Sequence, residues 1–245
     1  ANFGLVLGIA AIMSPIYLQG QVIRREVPFL LLITAILLVM VWDAPLSGTQ
    51  ALLDRGDAII LFLLFTVFVY FMVRDFISAE GDPLLVEGDN LSSKASGNGL
   101  FNSALLLVGL VLLVVGGEMT IDNGVAIAKI MGVSEVVIGM FVLAVGTSLP
   151  ELVTSGIAAY KKETDLALGN IVGSNIFNSL VVLPAAAIIR PLPIPEGGDW
   201  DLAVGGAFVL VIIPLFLFSN ARLGRLAGIG LITSYFLYLY IRFNF

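Results

Sequence analysis

Oxygen-bearing side chains interrupt a long apolar stretch of the chain, VLAVGTSLPELVTS, which runs from Val142 to Ser155. The stretch contains one carboxylate, Glu151, and the hydroxyl groups of Thr147 and Ser148 come just before it. A carboxylate at the middle of a bilayer costs roughly 2.5–3.5 kcal/mol on insertion scales, so a function is its expected explanation. Oxygen ligands of this kind suit hard cations such as Na⁺ and Ca²⁺. These residues therefore predict a cation-binding site.

A helix break is predicted within the same stretch. Pro150 has no backbone N–H and suits the first turn of a helix, for which Ser148 would be the N-cap. The helix should therefore restart near Leu149. The carbonyl groups of Ala144 and Val145, just before the break, would lose their helical partners. Because irregular backbone is tolerated in a membrane only where it lines a polar site, we expect these carbonyls to add ligands to the cation site.

The next apolar segment carries a second polar pattern, GNIVGSNIFN. Asn170, Ser174 and Asn178 recur at four-residue spacing, so they share one face of a helix. Gly169 and Gly173 belong to the same face and are expected to allow close approach of a neighbouring helix. We predict that this stripe faces the carboxylate of the broken helix. For Asn170 a role in helix packing alone is an equally open alternative.

The composition indicates an integral membrane protein. Of the 245 residues, 59% are hydrophobic and 12% are charged, and the mean hydropathy is +1.05; a soluble domain has about 25% charged residues. The absence of Cys and His excludes disulfides, thiolate or imidazole metal sites and Ser–His catalysis. A Ser hydrolase around Ser148 would need a nearby His or Lys, and Lys161 and Lys162 are expected at the interface, so no enzyme is predicted. The net charge of −6 does not support nucleic-acid binding.

Eight membrane segments are predicted, since a span needs about 20 mostly apolar residues. They are Ala1–Ile16, Val27–Trp42, Ala58–Val73, Leu100–Gly117, Val133–Ala159, Leu166–Ile189, Leu202–Phe218 and Leu226–Ile241. The longest joint, Arg74–Asn98, is acidic and turn-rich and is predicted to be a solvated linker. Glu118 and Asp122 fall at the end of a span and are expected to face water. This leaves Glu151 as the acidic residue within the predicted spans after Leu100.

The distribution of basic residues predicts the orientation. Eight Lys and Arg residues lie in the joints after the odd-numbered segments and four lie on the other side. An excess of basic residues marks the cytosolic side. We therefore expect the linker to be cytosolic and the C-terminus to be outside, in what is expected to be the plasma (inner) membrane of a prokaryote. The aromatic residues of the last segment are expected to form an interfacial belt.

An internal repeat relates the two halves. When Asn2–Ile16 is laid over Asn178–Leu192, seven of fifteen positions are identical, at an offset of 176 residues (178 − 2). The two copies lie in the first and sixth segments and so cross the membrane in opposite directions, which is an inverted-topology repeat. The second copy begins near Phe101, so about 75 residues of the first copy are expected upstream of Ala1 by this repeat logic. The chain therefore reads as a fragment of a protein with ten spans.

The region from Val133 to Pro191, with its elements GTSLPE and GNIVGSNIFN, resembles the second alpha-repeat of the sodium/calcium exchanger family, within the calcium/cation antiporter superfamily. The resemblance implies an all-α membrane protein with an inverted repeat of five plus five helices, of which about eight segments are present. Residues 1–73 would be the C-terminal part of the first repeat half, 74–98 the cytosolic linker, and 99–245 the complete second half. It also implies alternating access, with two long tilted helices sliding past the core.

The resemblance implies roles for seven residues of this chain. Glu151 would be one of two central acidic ligands shared by Ca²⁺ and Na⁺, and Thr147 and Ser148 would bind through hydroxyl or backbone oxygens. The remaining ligands would be the carbonyl of Ala144, Ser174 in an outer Na⁺ site, and Asn2 and Asn178 as the paired polar residues of the third and eighth helices. Many family members have Asp in place of Asn178, so the site here would carry one negative charge fewer.

The expected function is secondary active antiport of Ca²⁺ against Na⁺, without a cofactor. The expected partners are the lipid bilayer, the two ions and the missing N-terminal helices of the same protein, which would supply the other central Glu. One alternative is a related cation antiporter that uses H⁺ or K⁺ or carries another divalent ion. A proton-coupled exchanger would more naturally have a second acidic residue in the segment that contains GNIVGSNIFN. Another is a membrane subunit that transports nothing, which the buried carboxylate disfavours.

Overall fold

The computed structural model describes residues 1–17, 25–47, 52–79, 99–133, 138, 146–218 and 222–244. In chain order the helices are α1 (Leu7–Met13), α2 (Val27–Ser47), α3 (Arg55–Ala79), α4 (Gly99–Ile130), α5 (Leu149–Tyr160), α6 (Thr164–Phe177), α7 (Leu183–Ile189), α8 (Gly198–Phe218) and α9 (Arg225–Asn244). Two π-helical turns, π1 (Asn2–Val6) and π2 (Asn178–Val182), lead directly into α1 and α7. Four two-residue strands complete the described elements: β1 (Ile16–Tyr17), β2 (Leu52–Leu53), β3 (Leu192–Pro193) and β4 (Arg222–Leu223).

Three of these helical stretches are long and apolar enough to cross a membrane: Arg55–Asp75, Gly99–Ile130 and Thr164–Ile189. Asn2–Met13 and Val27–Trp42 are shorter apolar helices. The third stretch includes α6, π2 and α7, so the predicted segment Leu166–Ile189 is continuous helix with a π-turn at Asn178. The predicted all-helical membrane architecture is confirmed.

Two helices end later than the hydropathy pattern predicted. The helix α3 continues through 74–79, which were expected in the linker, and the other linker residues lie outside the described ranges. The helix α4 continues to Ile130, past the predicted end at Gly117 and through Gly124, and stops just before Gly132. Gly132 has φ +75° and donates its N–H to the Lys129 carbonyl, a left-handed helix end that glycine adopts readily.

The internal repeat is confirmed in the backbone. Each short helix, α1 or α7, has seven residues, follows a five-residue π-turn that begins at Asn2 or Asn178, and ends at an extended residue. The strands cross between the halves, since β1 pairs antiparallel with β4 and β2 pairs antiparallel with β3. Each of these joints therefore contains one strand from each repeat.

The helices also pack across the repeats. The helix α1 packs on α9, and its counterpart α7 packs on α3, while α2 packs on α8. Along α1 and α9 the backbones touch: a Cβ atom added to Gly228 would lie 2.6 Å from the Gly8 carbonyl oxygen. Small residues that allow such close approach are a common basis of helix association in membranes. These contacts surround one core of buried apolar side chains, including Leu7, Ile33 and Leu61.

The helix α4 stands apart from this core. None of its residues is buried against the part of the chain that the structure describes. Among the described elements its main packing contact is with α5. Gly117 lies beside Pro150, and Ile121 lies against Gly146, so α4 touches the chain where α5 begins.

Candidate ion-binding site

An open cavity of about 360 Å³ lies between the start of α5 and the face of α6. Glu151 lines it from α5, and the polar stripe of α6 and π2 lines it from the other side. The lining residues are Glu151, Gly169, Asn170, Gly173, Ser174, Phe177 and Asn178. The predicted juxtaposition of the carboxylate with Ser174 and Asn178 is therefore present in the structure.

The Glu151 carboxylate has an unsatisfied oxygen in this cavity. Its Oε2 atom is buried and has no hydrogen-bond partner among the described residues. A buried acceptor without a partner is costly, and a buried charge without one is more so. Across the cavity, Ser174 and Asn178 contribute polar oxygens from an otherwise apolar segment. A bound cation would satisfy the orphaned oxygen and could be shared with these groups.

The local sequence explains why Glu151 is held at this position. Thr147 and Ser148 form a turn, and α5 begins at Leu149 with Pro150 in its first turn, as predicted. Glu151 is thus in the first turn, where the helix dipole favours negative charge. The hydroxyl of Thr154 donates to the carbonyl oxygen of Pro150 at 2.9 Å, so that carbonyl is already satisfied.

Ser148 occupies the N-cap position but does not cap with its side chain. Its φ and ψ are −92° and 2°, and it makes no side-chain cap hydrogen bond. A capping Ser normally has an extended backbone, which aims its hydroxyl at the N–H groups of the first turn. The side chain of Ser148 is buried and that of Thr147 is exposed. Ala144 lies outside the described residues.

Asn170 joins α6 to α5 through hydrogen bonds, so it contributes to the packing of the two helices. Its Nδ2 donates to Thr154 Oγ1 at 2.8 Å and to Ser155 Oγ at 2.9 Å. Both amide hydrogens are then used, and the carbonyl oxygen remains as an acceptor on the residue's cavity-lining side chain. The hydroxyl of Ser155 in turn donates to the Ala167 carbonyl oxygen at 3.4 Å. This network fixes the distance between the two helices that form the cavity.

The two glycines of the stripe have a different role from the predicted one. Gly169 and Gly173 were expected to permit close helix approach, but a Cβ atom on either would meet no described atom within 4 Å. Both line the cavity instead. The expectation was wrong because the close helix contact is at Gly8 and Gly228, each of which is the second member of another G-x-x-x-G pair, Gly4/Gly8 and Gly224/Gly228. In the stripe, the absence of side chains leaves space open.

Asn2 is not among the residues that line the Glu151 cavity. It is buried, and its Oδ1 atom has no hydrogen-bond partner among the described residues. It lines a separate cavity of about 390 Å³ together with Asn175 and Ser179. The turn π1, which begins at Asn2, nevertheless packs against α5 and α6, so Asn2 is adjacent to the helices of the site.

One polar cluster was missed by the sequence analysis. Asp201, in the first turn of α8, accepts hydrogen bonds from the Tyr238 hydroxyl at 2.6 Å and from Arg242 Nε at 3.0 Å. The expectation that Glu151 is the one acid within the spans after Leu100 was wrong, because α8 begins at Gly198 and α4 includes Glu118. Glu118 is exposed, and Asp201 is neutralised by its partner. The pairing joins positions 41 residues apart, which hydropathy does not reveal.

Comparisons with known proteins agree with this architecture. The family model described as sodium/calcium exchanger protein matches residues 1–74 and 101–244. The inner membrane protein YrbG of Escherichia coli is 32% identical over 245 residues, which cover 97% of this chain and 72% of that protein. The sodium/calcium exchanger MaX1 of Methanosarcina acetivorans is 43% identical over 91 residues, 37% of this chain and 26% of that protein.

The fold also matches a solved structure. A structure of the sodium-calcium exchanger NCX_Mj, soaked with Na⁺ and Sr²⁺, superimposes with a TM-score of 0.75 at 28% sequence identity. The match covers 98% of this chain and 72% of that chain. It extends over both halves of the repeat and over the cavity between α5 and α6. With the helix start at Leu149, the inverted repeat and these matches, the chain belongs to the sodium/calcium exchanger protein family.

Proposed function

We propose that this chain forms the greater part of a secondary active antiporter that exchanges Ca²⁺ for Na⁺ across a membrane by alternating access. The observation that carries the proposal is the buried, unpartnered Oε2 atom of Glu151 at a cavity with amide and hydroxyl groups on its opposite wall. Hard cations are bound by oxygen ligands of these types. Membership of the sodium/calcium exchanger family and the likeness to NCX_Mj support the choice of ions.

The chemistry of the cavity accounts for exchange through competition. Among the described residues no three acidic side chains converge, so the site in this half depends on one carboxylate. One carboxylate with a few neutral oxygens cannot hold a divalent ion and several Na⁺ ions at once, so the ions bind alternately. Ca²⁺ gains more than Na⁺ from the carboxylate because the Coulomb energy scales with the product of the charges. Na⁺ competes because several Na⁺ ions can occupy the site in place of one Ca²⁺ ion.

The proposed ligands are Glu151 with Ser174 and Asn178 across the cavity, and Thr147 and Ser148 at the turn before α5. The carbonyl of Ala144 and the side chain of Asn2 complete the set. Glu151 supplies the charge, Ser174 the hydroxyl of an outer Na⁺ site, and Asn178 a neutral oxygen. Asn170 holds α6 in register with Glu151 through Thr154 and Ser155.

We further propose the organisation of the chain in its membrane. Residues 1–73 belong to the first repeat half, 74–98 form a cytosolic linker, and 99–245 form the second half, with the C-terminus outside. The basic residues in the joints support this orientation. The name of the E. coli relative, an inner membrane protein, supports the plasma membrane of a prokaryote.

Ion flux in vesicles tests the function. Full-length protein is reconstituted into liposomes loaded with Na⁺, and uptake of radioactive Ca²⁺ is measured after dilution into Na⁺-free buffer. Exchange predicts uptake that requires the outward Na⁺ gradient and stops when a Na⁺ ionophore dissipates it. Uptake driven equally by a K⁺ or H⁺ gradient without Na⁺ would contradict the proposal and favour another coupling ion.

A further inference from the structure

Two arginines make the same contact in the two halves of the molecule. Arg55, the first residue of α3, donates its Nε–H to the carbonyl oxygen of Ile188 at 3.1 Å. Arg225, the first residue of α9, donates its Nε–H to the carbonyl oxygen of Ile12, also at 3.1 Å. The two acceptors are equivalent positions of the repeat, at the same offset as Asn2 and Asn178. Each arginine reaches from its own repeat into the other, and we call these two contacts the arginine clasps.

Each clasp acts on the end of a short helix. Ile12 and Ile188 are the second-last residues of α1 and α7. Their carbonyl oxygens therefore have no N–H donor within the helix. A guanidinium group satisfies such a carbonyl and also places a positive charge at the negative end of the helix dipole. Because these helices have only seven residues each, the clasp lies within two turns of the opposite end.

The opposite end of α7 is where that helix meets the ion site. The turn π2 begins at Asn178, which lines the Glu151 cavity, and α7 follows it without a break. In the other half π1 begins at Asn2 and α1 follows. A rigid helical segment transmits a shift along its axis from one end to the other. The position of Asn178 along the axis of π2 and α7 therefore depends on the position at which Arg55 holds Ile188.

The pairing of the strands reinforces the clasps. Each short helix is followed by a strand, β1 or β3, that pairs with the strand just before the arginine, β4 or β2. Ile16, Leu223 and Leu53 are buried in these joints. The backbone around each arginine is thus fixed relative to the helix end that it holds.

We propose that Arg55 and Arg225 are positioning residues for ion binding, each holding the site helix of the opposite repeat. The inference rests on the proposed antiport function and adds to it two residues that touch no ion. Ligands of a metal site must be held within about 0.5 Å of their working geometry. Loss of a clasp should therefore weaken ion binding more than it slows the transport cycle.

The test compares Arg55→Ala and Arg225→Ala with the wild-type full-length protein in liposomes, measured per folded transporter. Loss of one charge-assisted hydrogen bond predicts a rise in the half-saturating Ca²⁺ concentration of about threefold to tenfold, with a smaller change in maximal rate. The conservative variants Arg55→Lys and Arg225→Lys keep the charge and should recover at least half of that shift. Arg190→Ala and Lys161→Ala, which remove exposed basic residues, are the matched controls and should keep the wild-type half-saturation.

The outcomes separate this proposal from the proposed function. Wild-type protein without Na⁺-driven Ca²⁺ uptake would refute the function itself. Wild-type exchange combined with unchanged half-saturation in both Ala variants would refute the positioning role, even if less folded protein were obtained. Where an Ala variant is not recovered, Arg55→Met or Arg225→Met keeps the apolar stem without an N–H donor, and a wild-type half-saturation there would restrict the arginine to folding and overturn the proposal.

Discussion

The side-chain nitrogen of Asn170 lies 2.8 Å from the hydroxyl oxygen of Thr154, one turn after Glu151 on the neighbouring helix. This contact joins the polar stripe of α6 to the helix that carries the carboxylate. The spacing of the cavity walls is therefore set by an amide that uses both of its hydrogens on α5.

Removing this amide should loosen the two helices. We expect Asn170→Ala to lower the free energy of unfolding by about 1–3 kcal/mol, because Thr154 and the buried Ser155 both lose a hydrogen-bond partner. Thermal unfolding of the purified full-length protein measures this. The control is Asn123→Ala on α4, whose amide bonds only to the Met119 carbonyl of its own helix and is exposed. Equal melting temperatures for the two variants would show that the Asn170 contact does not hold the helices together.

The Glu151 carboxylate should be indispensable in this half of the protein. Glu151→Gln keeps the shape and one oxygen but removes the charge, so Ca²⁺ binding should weaken more than Na⁺ binding, and exchange should stop. Ion-dependent thermal stabilisation measures binding, and vesicle flux measures exchange. Glu163→Gln, at the exposed turn between α5 and α6, should behave as wild type. If Glu151→Gln exchanged Ca²⁺ at the wild-type rate, the ion site would have to lie elsewhere.

The contact between α1 and α9 should not tolerate one added methyl group. A Cβ atom at Gly228 would lie 2.6 Å from the backbone oxygen of Gly8, which cannot rotate away. We expect Gly228→Ala to lower the melting temperature in spite of the better helix propensity of Ala. Gly230→Ala, two residues further along α9 with no described atom within 4 Å of the new methyl group, should be neutral or stabilising. The reverse order of the two melting temperatures would contradict this packing.

Glu26 should make stability depend on pH. It precedes α2 and lines a cavity with Phe65 and Phe68, and its burial there raises its pKa above the ordinary value of 4.5, although Arg25 opposes the shift. A raised folded pKa means that the folded protein binds this proton more tightly than the unfolded chain. Stability is therefore lost as the pH rises from 4.5 through the folded pKa.

Glu26→Gln removes this titration. We expect the variant to melt at a higher temperature than wild type at neutral pH, and the advantage to disappear as the pH falls to about 4.5. Melting curves across this pH range provide the measurement, with Glu163→Gln as the control. A constant difference between Glu26→Gln and wild type at every pH would exclude titration of Glu26 as the cause.

The orientation can be tested with single cysteines, since these 245 residues contain none. We expect Ser92→Cys in the linker to react with a membrane-impermeant thiol reagent only after the cells are opened. Glu196→Cys, an exposed residue of the joint before α8, should react in intact cells, because that joint is predicted to face outside. Labelling in the opposite order would reverse the proposed topology without affecting the repeat.

The sequence was sufficient for features with a local cause. The restart of the helix at Leu149 follows from Pro150, and the stripe on α6 follows from helical spacing, so both could be predicted. The repeat was visible because seven matching positions in one short segment are preserved in both halves. Each of these signals lies within about fifteen neighbouring residues.

Features that depend on tertiary contacts could not be predicted. The pairing of Asp201 with Arg242 and the two arginine clasps join distant positions, and hydropathy assigns all of these charged residues to the ends of spans. The packing of Gly228 on Gly8 involves two G-x-x-x-G pairs, but Gly169 and Gly173 form a third, and spacing alone does not tell which pairs meet a neighbouring helix. The repeat pairs Asn2 with Asn178, and the side chains of the two residues line different cavities in the structure. The internal repeat in the sequence does not specify which cavity a side chain will line.

The crossed pairing of the strands has a consequence for biogenesis. Because β1 pairs with β4 and Arg225 contacts Ile12, the first repeat cannot reach its final packing until α9 has left the ribosome. About two hundred residues separate these partners, so the closing step has a large entropic cost and comes late. Until then the carbonyl oxygen of Ile12, near the end of α1, lacks the hydrogen bond that Arg225 donates in the folded protein. The two repeats are therefore expected to pack together only after α9 has been synthesised, rather than half by half, and truncation before Arg225 should leave both halves unassembled.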